Sequence, residues 1–107
     1  MTATLIFGGT FDPVHYGHVR SAKALCDQFD DAKVVMIPCQ IPPHRPQPAA
    51  PGEDRLRMLE LATENEPDIT VDDIELKREG KSFTFDTLAE YRAKVGEQPL
   101  YFVPVGR

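Results

Sequence analysis

The sequence predicts an α/β protein built on a doubly wound, mainly parallel sheet, and three observations carry that expectation. Short apolar runs alternate with longer stretches whose apolar residues recur every three or four positions, in the order β-α-β-loop-α-β-α-β. The second run, "KVVMIP" at residues 33–38, is continuously apolar, the pattern of a strand covered on both faces. The first run ends in a glycine pair and a stretch containing two histidines, at the carboxyl end of a strand where such sheets bind ligands. Parallel strands joined by helices take right-handed crossovers, so a ligand crevice is expected where the first strand opens into the first helix.

Residues 4–7 are short, apolar and partly β-branched, and Gly8-Gly9 is expected to close that strand in a tight turn. From Gly17 onward Val19, Ala22, Leu25, Cys26 and Phe29 make one apolar stripe of a helix reaching about Asp30. Residues 39–52, "CQIPPHRPQPAAPG", hold five of the ten prolines, too few backbone donors for a helix or central strand, so this is a long loop. Residues 53–65 resume a helical pattern through Leu56, Leu59 and Ala62, with acidic residues in the first turn where the helix dipole favours them. Residues 69–76 alternate as a strand that frays or bulges near Asp72-Asp73. Ser82 or Thr84 can cap a third helix carrying Phe85, Leu88, Ala89 and Val95, and residues 100–103 form the last strand.

A chain of 107 residues has room for one domain and one core. With 41% hydrophobic and 27% charged residues it collapses rather than staying disordered. The net charge of -5 is spread along the chain without a basic stripe, which argues against a nucleic-acid partner. Cys26 and Cys39 lack the paired spacing of a zinc ribbon or thiol redox motif and fit free thiols in a reducing compartment. No charged leader and no apolar run near the roughly 20 residues of a bilayer span is evident, so the expectation is a cytoplasmic protein without membrane contact.

The chemistry concentrates in "GGTFDPVHYGH", residues 8–18. Gly8 and Gly9 lack side chains, so a phosphate can approach the main chain and meet its N–H groups. A helix opening near Tyr16 or Gly17 adds free N–H groups and the positive end of a dipole. His15 and His18 stand three residues apart, which in a helical first turn puts both rings on one side of that anion. Gly17 between them keeps the surface low enough for a flat base. Imidazoles donating to phosphate oxygens act best where negative charge grows during reaction, which selects phosphoryl or nucleotidyl transfer. Zinc is a competing account of the histidines, but it needs two more ligands, and only His44 and Cys39 are of suitable kind. A plain turn followed by a histidine-capped helix is the other.

The string resembles the signature of the nucleotidyltransferase superfamily, whose H-x-G-H element is met by His15-Tyr16-Gly17-His18. Within that superfamily "IPPHRPQP" at residues 41–48 and "KSFTFDTL" at residues 81–88 resemble the bacterial nicotinate-nucleotide adenylyltransferases, the similarity running from about residue 4 to residue 103. The resemblance implies a Rossmann-like fold, with residues 1–107 as a single nucleotide-binding domain. It implies adenylyl transfer from ATP to nicotinate mononucleotide, giving nicotinate adenine dinucleotide and pyrophosphate, with Mg2+ arriving on ATP and no metal held by the chain itself. It assigns His15 and His18 to catalysis on the ATP phosphates, Gly8, Gly9, Thr10, Phe11, Gly17 and Arg45 to ATP and phosphate binding, and His44 and Thr84 to the nicotinate nucleotide. The chemistry agrees: a phosphate nucleophile is already ionised near neutral pH and needs no general base, so positioning and charge stabilisation are the main tasks. Arg45 is otherwise an ordinary solubilising side chain, but its place between prolines restricts the loop and lowers the entropy lost on binding. Thr84 also serves as a plain helix cap.

Two departures stand out. Cys39 occupies a place where the family usually has asparagine, and the chain finishes "YFVPVGR" where the family continues into a glycine and a ribose-binding aspartate. Family members are longer, and their later half supplies aromatic contacts to the nicotinate and a serine/threonine-arginine motif for ATP phosphates. The expectation is therefore the N-terminal part of a family domain, weakly stable or weakly active alone, or self-associating to cover its open surface. A sister enzyme making a CDP-alcohol or adenylylating phosphopantetheine shares H-x-G-H, though "PPHR" and "SFTFDTL" argue against it. A non-catalytic nucleotide-binding module is the third reading.

Overall fold

Seven elements follow one another in the expected order in the computed structural model, which describes residues 2–9, 11, 16–29, 31–39, 51–77 and 84–104. They are β1 (Ala3–Gly9), α1 (Tyr16–Asp27), β2 (Ala32–Pro38), α2 (Gly52–Thr63), β3 (Ile69–Val71), α3 (Thr84–Val95) and β4 (Leu100–Pro104). The four strands form one sheet in the order β3-β2-β1-β4, and every pair is parallel. From β1 the chain steps outward through β2 to β3, then crosses back to lay β4 on the other side of β1.

That reversal distributes the helices and divides the core. On one face Leu5, Phe7, Val34 and Met36 pack with Val19 and Ala22 of α1 and Leu59 of α2. On the other, Ile6, Val35 and Ile37 pack with Tyr91 and Leu88 of α3 and with Phe102. Both central strands are thus buried on both sides, which is why β2 reads as an unbroken apolar run. Each fully buried leucine, isoleucine, valine, phenylalanine or methionine here contributes about 1.5–3 kcal/mol by leaving water.

Three expectations change in detail. β1 runs through both glycines, which pair with Ile37 and Pro38, so the glycine pair belongs to the strand and not to a turn. β3 stops at Val71 rather than continuing to residue 76: the Asp72 carboxylate accepts the Ile74 N–H at 3.1 Å, and the Asp73 carbonyl accepts the Leu76 N–H at 2.9 Å. Those local bonds close a turn that takes the place of the ladder. The helix stripes are also rotated. α2 buries Arg55, Leu59 and Thr63 and leaves Ala62 exposed, whereas α3 buries Thr87 and Tyr91 and leaves Ala89 exposed. Polar side chains that find buried partners can occupy a core-facing position, and hydrophobicity alone does not mark them.

Tyr91 illustrates this. Its hydroxyl donates to Asp72, and Lys94 stands 4.8 Å above its ring and 3.9 Å from the same carboxylate. Burial, then the hydrogen bond to Asp72, then the negative charges of Asp72 and Glu90 push the Tyr91 phenol well above its ordinary pKa. A raised folded pKa means the contribution is fully present below the unfolded value of about 10 and is lost as pH rises toward the folded one, because the unfolded chain ionises first. The Cys26 thiol, also raised by burial, titrates on the same alkaline limb. Tyr91→Phe is expected to lower stability by about 1.5–3 kcal/mol at neutral pH. Urea melts across a pH series should show the variant losing less stability above about pH 10 than wild type. Parallel curves would mean the phenol is not protected.

Candidate active site

The mouth of the sheet is built from the carboxyl ends of β1 and β2. Gly8 pairs with Ile37 and Pro104, and Gly9 with Pro38, so both glycines sit in the ladder at its last rungs. A Cβ on Gly8 would fall 2.9 Å from Cε1 of Phe102, so this glycine is needed for the close approach of an aromatic ring on the α3 face. Gly9 ends the strand, and its carbonyl accepts the Cys39 N–H at 2.9 Å. The Cys39 carbonyl in turn accepts Arg55 Nη1 at 2.7 Å. Arg55 is 2% exposed, so a guanidinium buried in α2 holds the end of β2 from which the proline loop departs.

Phe11 is the pivot between β1 and α1. Its φ of 50° lies in the left-handed region, which costs a residue with a Cβ about 1–2 kcal/mol. The ring is fully buried among β1, β2 and α1 side chains, and burying a phenylalanine contributes about 1.5–3 kcal/mol, so burial outweighs the strain. The Phe11 side chain therefore belongs to the core, and what it can offer a phosphate is its backbone.

His18 lies in the first turn of α1, half-buried, with its ring edge-on to Phe11 at a centroid separation of 5.2 Å and an interplanar angle of 89°. That T-shaped contact fixes the plane of the imidazole at the opening of the helix. Gly17 beside it is exposed. The structure thus brings Gly9, Phe11, Gly17 and His18 to one end of the sheet, where the β1–α1 connection leaves toward one face and α3 covers the other. Such a switch point forms a crevice, and the amino end of α1 adds the positive end of a helix dipole, favourable for an anion. Thr84 is the first residue of α3, at the same end of the sheet. Thr10, His15, His44 and Arg45 lie outside the described residues, as does the side chain of Thr84.

Sequence reasoning missed Arg55, Glu75 and Thr87 as organisers of this end of the fold. Glu75 is buried and its Oε2 accepts Thr87 Oγ1 at 2.6 Å. The available signal was periodicity: Arg55 lies four residues before Leu59, and Thr87 four before Tyr91, on the faces that meet the sheet. Among the described residues no group of three histidine, cysteine or acidic side chains could hold a metal ion, and no helix is long and apolar enough to cross a membrane. A groove of ≈ 490 Å³ lined by Pro51, Leu56, Asp73, Leu76 and Lys77 lies between the start of α2 and the turn after β3.

Comparison with known proteins places these features in context. A cytidylyltransferase-like family model matches residues 6–106. The probable nicotinate-nucleotide adenylyltransferase of Hahella chejuensis (strain KCTC 2396) is 50% identical over 101 residues, covering 92% of this chain and 46% of that relative. Its counterpart in Yersinia pestis (strain Pestoides F) is 48% identical over 99 residues, covering 92% and 45%. Among solved structures, Plasmodium falciparum nicotinic acid mononucleotide adenylyltransferase complexed with NaAD superposes with a TM-score of 0.76 at 19% identity, over 95% of this chain and 51% of that one. The chain therefore spans about half the length of the curated relatives it matches.

Proposed function

Since this chain belongs to the cytidylyltransferase-like family, we propose that the protein transfers the adenylyl group of ATP to nicotinate mononucleotide. The observation that carries this reading is the placement of His18: an imidazole in the first turn of α1, its plane set by Phe11, beside the last residues of β1. The names of the bacterial relatives supply the substrates, and the mononucleotide acceptor follows from them rather than from geometry.

In this reading the triphosphate lies over the end of β1, held by the backbone of Gly8, Gly9, Thr10 and Phe11 and by the amino end of α1. Exposed Gly17 leaves room for the nucleotide. His15 and His18 donate to phosphate oxygens, with Arg45 and His44 reaching in from the proline loop and Thr84 meeting the acceptor. A phosphate oxygen of nicotinate mononucleotide attacks the α-phosphorus in line. The bond from that phosphorus to the bridging oxygen breaks, and pyrophosphate leaves with the Mg2+ that accompanied ATP as substrate. Already ionised, the attacking phosphate calls for no base, and the imidazoles stabilise charge as it gathers on the departing group. A cytoplasmic setting belongs to this reading, since it keeps Cys26 and Cys39 as the free thiols they are.

The test is release of pyrophosphate from ATP by the chain with nicotinate mononucleotide, and from ATP or CTP with phosphopantetheine or an alcohol phosphate. Release with nicotinate mononucleotide at a rate well above the others is expected. Preference for another acceptor would move the protein to a sister activity, and calorimetric ATP binding without turnover would make it a binding module.

A further inference from the structure

Helix α3 is tied to the turn that follows β3 by two carboxylates. Thr87 Oγ1 donates to Glu75 Oε2 at 2.6 Å, with Thr87 1% and Glu75 7% exposed. One helical turn later the Tyr91 hydroxyl donates to Asp72. Thr87 and Tyr91 share a helix face, and Asp72 and Glu75 both sit in the turn, so the bonds form a two-rung polar seam. Apolar contacts would hold a helix on a sheet equally well, but they tolerate sliding. Hydrogen bonds are directional, and a buried carboxylate left without its partner is unfavourable, so the seam specifies the rotation and axial position of α3.

What that position controls follows from topology. α1 and α3 both begin at the carboxyl end of the sheet, on opposite faces, with β1 between them. His18 stands on the α1 side. In-line displacement puts the nucleophile and the leaving pyrophosphate on opposite sides of the α-phosphorus. With the phosphates gripped beside α1, the attacking mononucleotide comes from the side where α3 begins. Thr84, its first residue, precedes the Glu75-bonded Thr87 by less than one turn.

We propose that Glu75 and Thr87 are positioning residues that fix the first turn of α3 as a wall of the acceptor-nucleotide subsite; this rests on the adenylyl-transfer reading above. Thr87→Val keeps the shape of the side chain and removes the hydroxyl, whereas Thr87→Ser keeps the hydroxyl. In Thr87→Val, KM for nicotinate mononucleotide is expected to rise about 5- to 10-fold, the loss of one hydrogen bond, with kcat and the KM for ATP within about twofold of wild type. Thr87→Ser restores the wild-type value. Amide hydrogen exchange at residues 84–88 accelerates in Thr87→Val while α1 and α2 are unchanged. Glu75→Gln, which keeps an acceptor oxygen without the charge, shifts both readouts less and serves where Thr87→Val does not fold.

Unchanged exchange and unchanged KM in an active protein would overturn the seam alone. An equal rise in both KM values with faster exchange throughout would reduce it to general stability and overturn it as well. A wild-type chain releasing no pyrophosphate with nicotinate mononucleotide would instead remove the adenylyl-transfer reading, and the acceptor assignment with it.

Discussion

Replacing His18 with alanine is expected to reduce pyrophosphate release from ATP and nicotinate mononucleotide by about 10²–10³-fold in kcat, the range found when one charge-stabilising donor is removed from a prearranged site. The effect should fall on kcat more than on the KM for ATP, because negative charge on the departing phosphates grows between ground state and transition state. Folding should survive. The ring is half-buried at the helix opening, and its edge-to-face pair with Phe11 is worth about 0.5–1.5 kcal/mol. Steady-state assays of the two proteins under matched conditions decide the matter. Equal rates would remove this imidazole from the chemistry and leave α1 as a merely structural helix.

The largest effect on stability is expected at Phe11. Phe11→Ala empties a fully buried ring site between β1, β2 and α1, and such truncations cost about 3–5 kcal/mol. Domains of this size are commonly stable by about 5–15 kcal/mol, so the variant should sit near its unfolding threshold. Alanine keeps the unfavourable left-handed backbone while losing the burial that offset it. Urea melts followed by circular dichroism measure the change. A loss under about 1 kcal/mol would show that the ring is not a core element. A double-mutant cycle with His18→Ala should return a coupling of about 0.5–1.5 kcal/mol, linking the stability of the turn to the orientation of the imidazole.

These two residues stood differently in the sequence. The place of His18 at the opening of α1 was legible because a glycine pair closes an apolar strand and a helical stripe begins at Gly17. The family resemblance assigns Phe11 to phosphate binding, and nothing in the linear pattern distinguishes a ring turned into the core from one turned toward a ligand. Gly8 carries a similar lesson. Its lack of a side chain reads as room for a phosphate, but the described neighbour that requires it is Phe102, a residue almost a hundred positions away on β4. Close approach between distant segments leaves no local signature.

The order of strands and helices, the double burial of β2 and the place where β1 opens toward α1 were determined by the sequence itself, because alternation of apolar runs and helical stripes is a local property set by backbone geometry. Tertiary structure decided the rest. The early end of β3, the rotation of the α2 and α3 faces, and the partners of Arg55, Glu75 and Tyr91 all depend on which polar groups meet once the chain has folded. A buried polar side chain is stable only where a partner at hydrogen-bond distance compensates for lost water, and that partner is chosen by three-dimensional neighbours rather than by position along the chain.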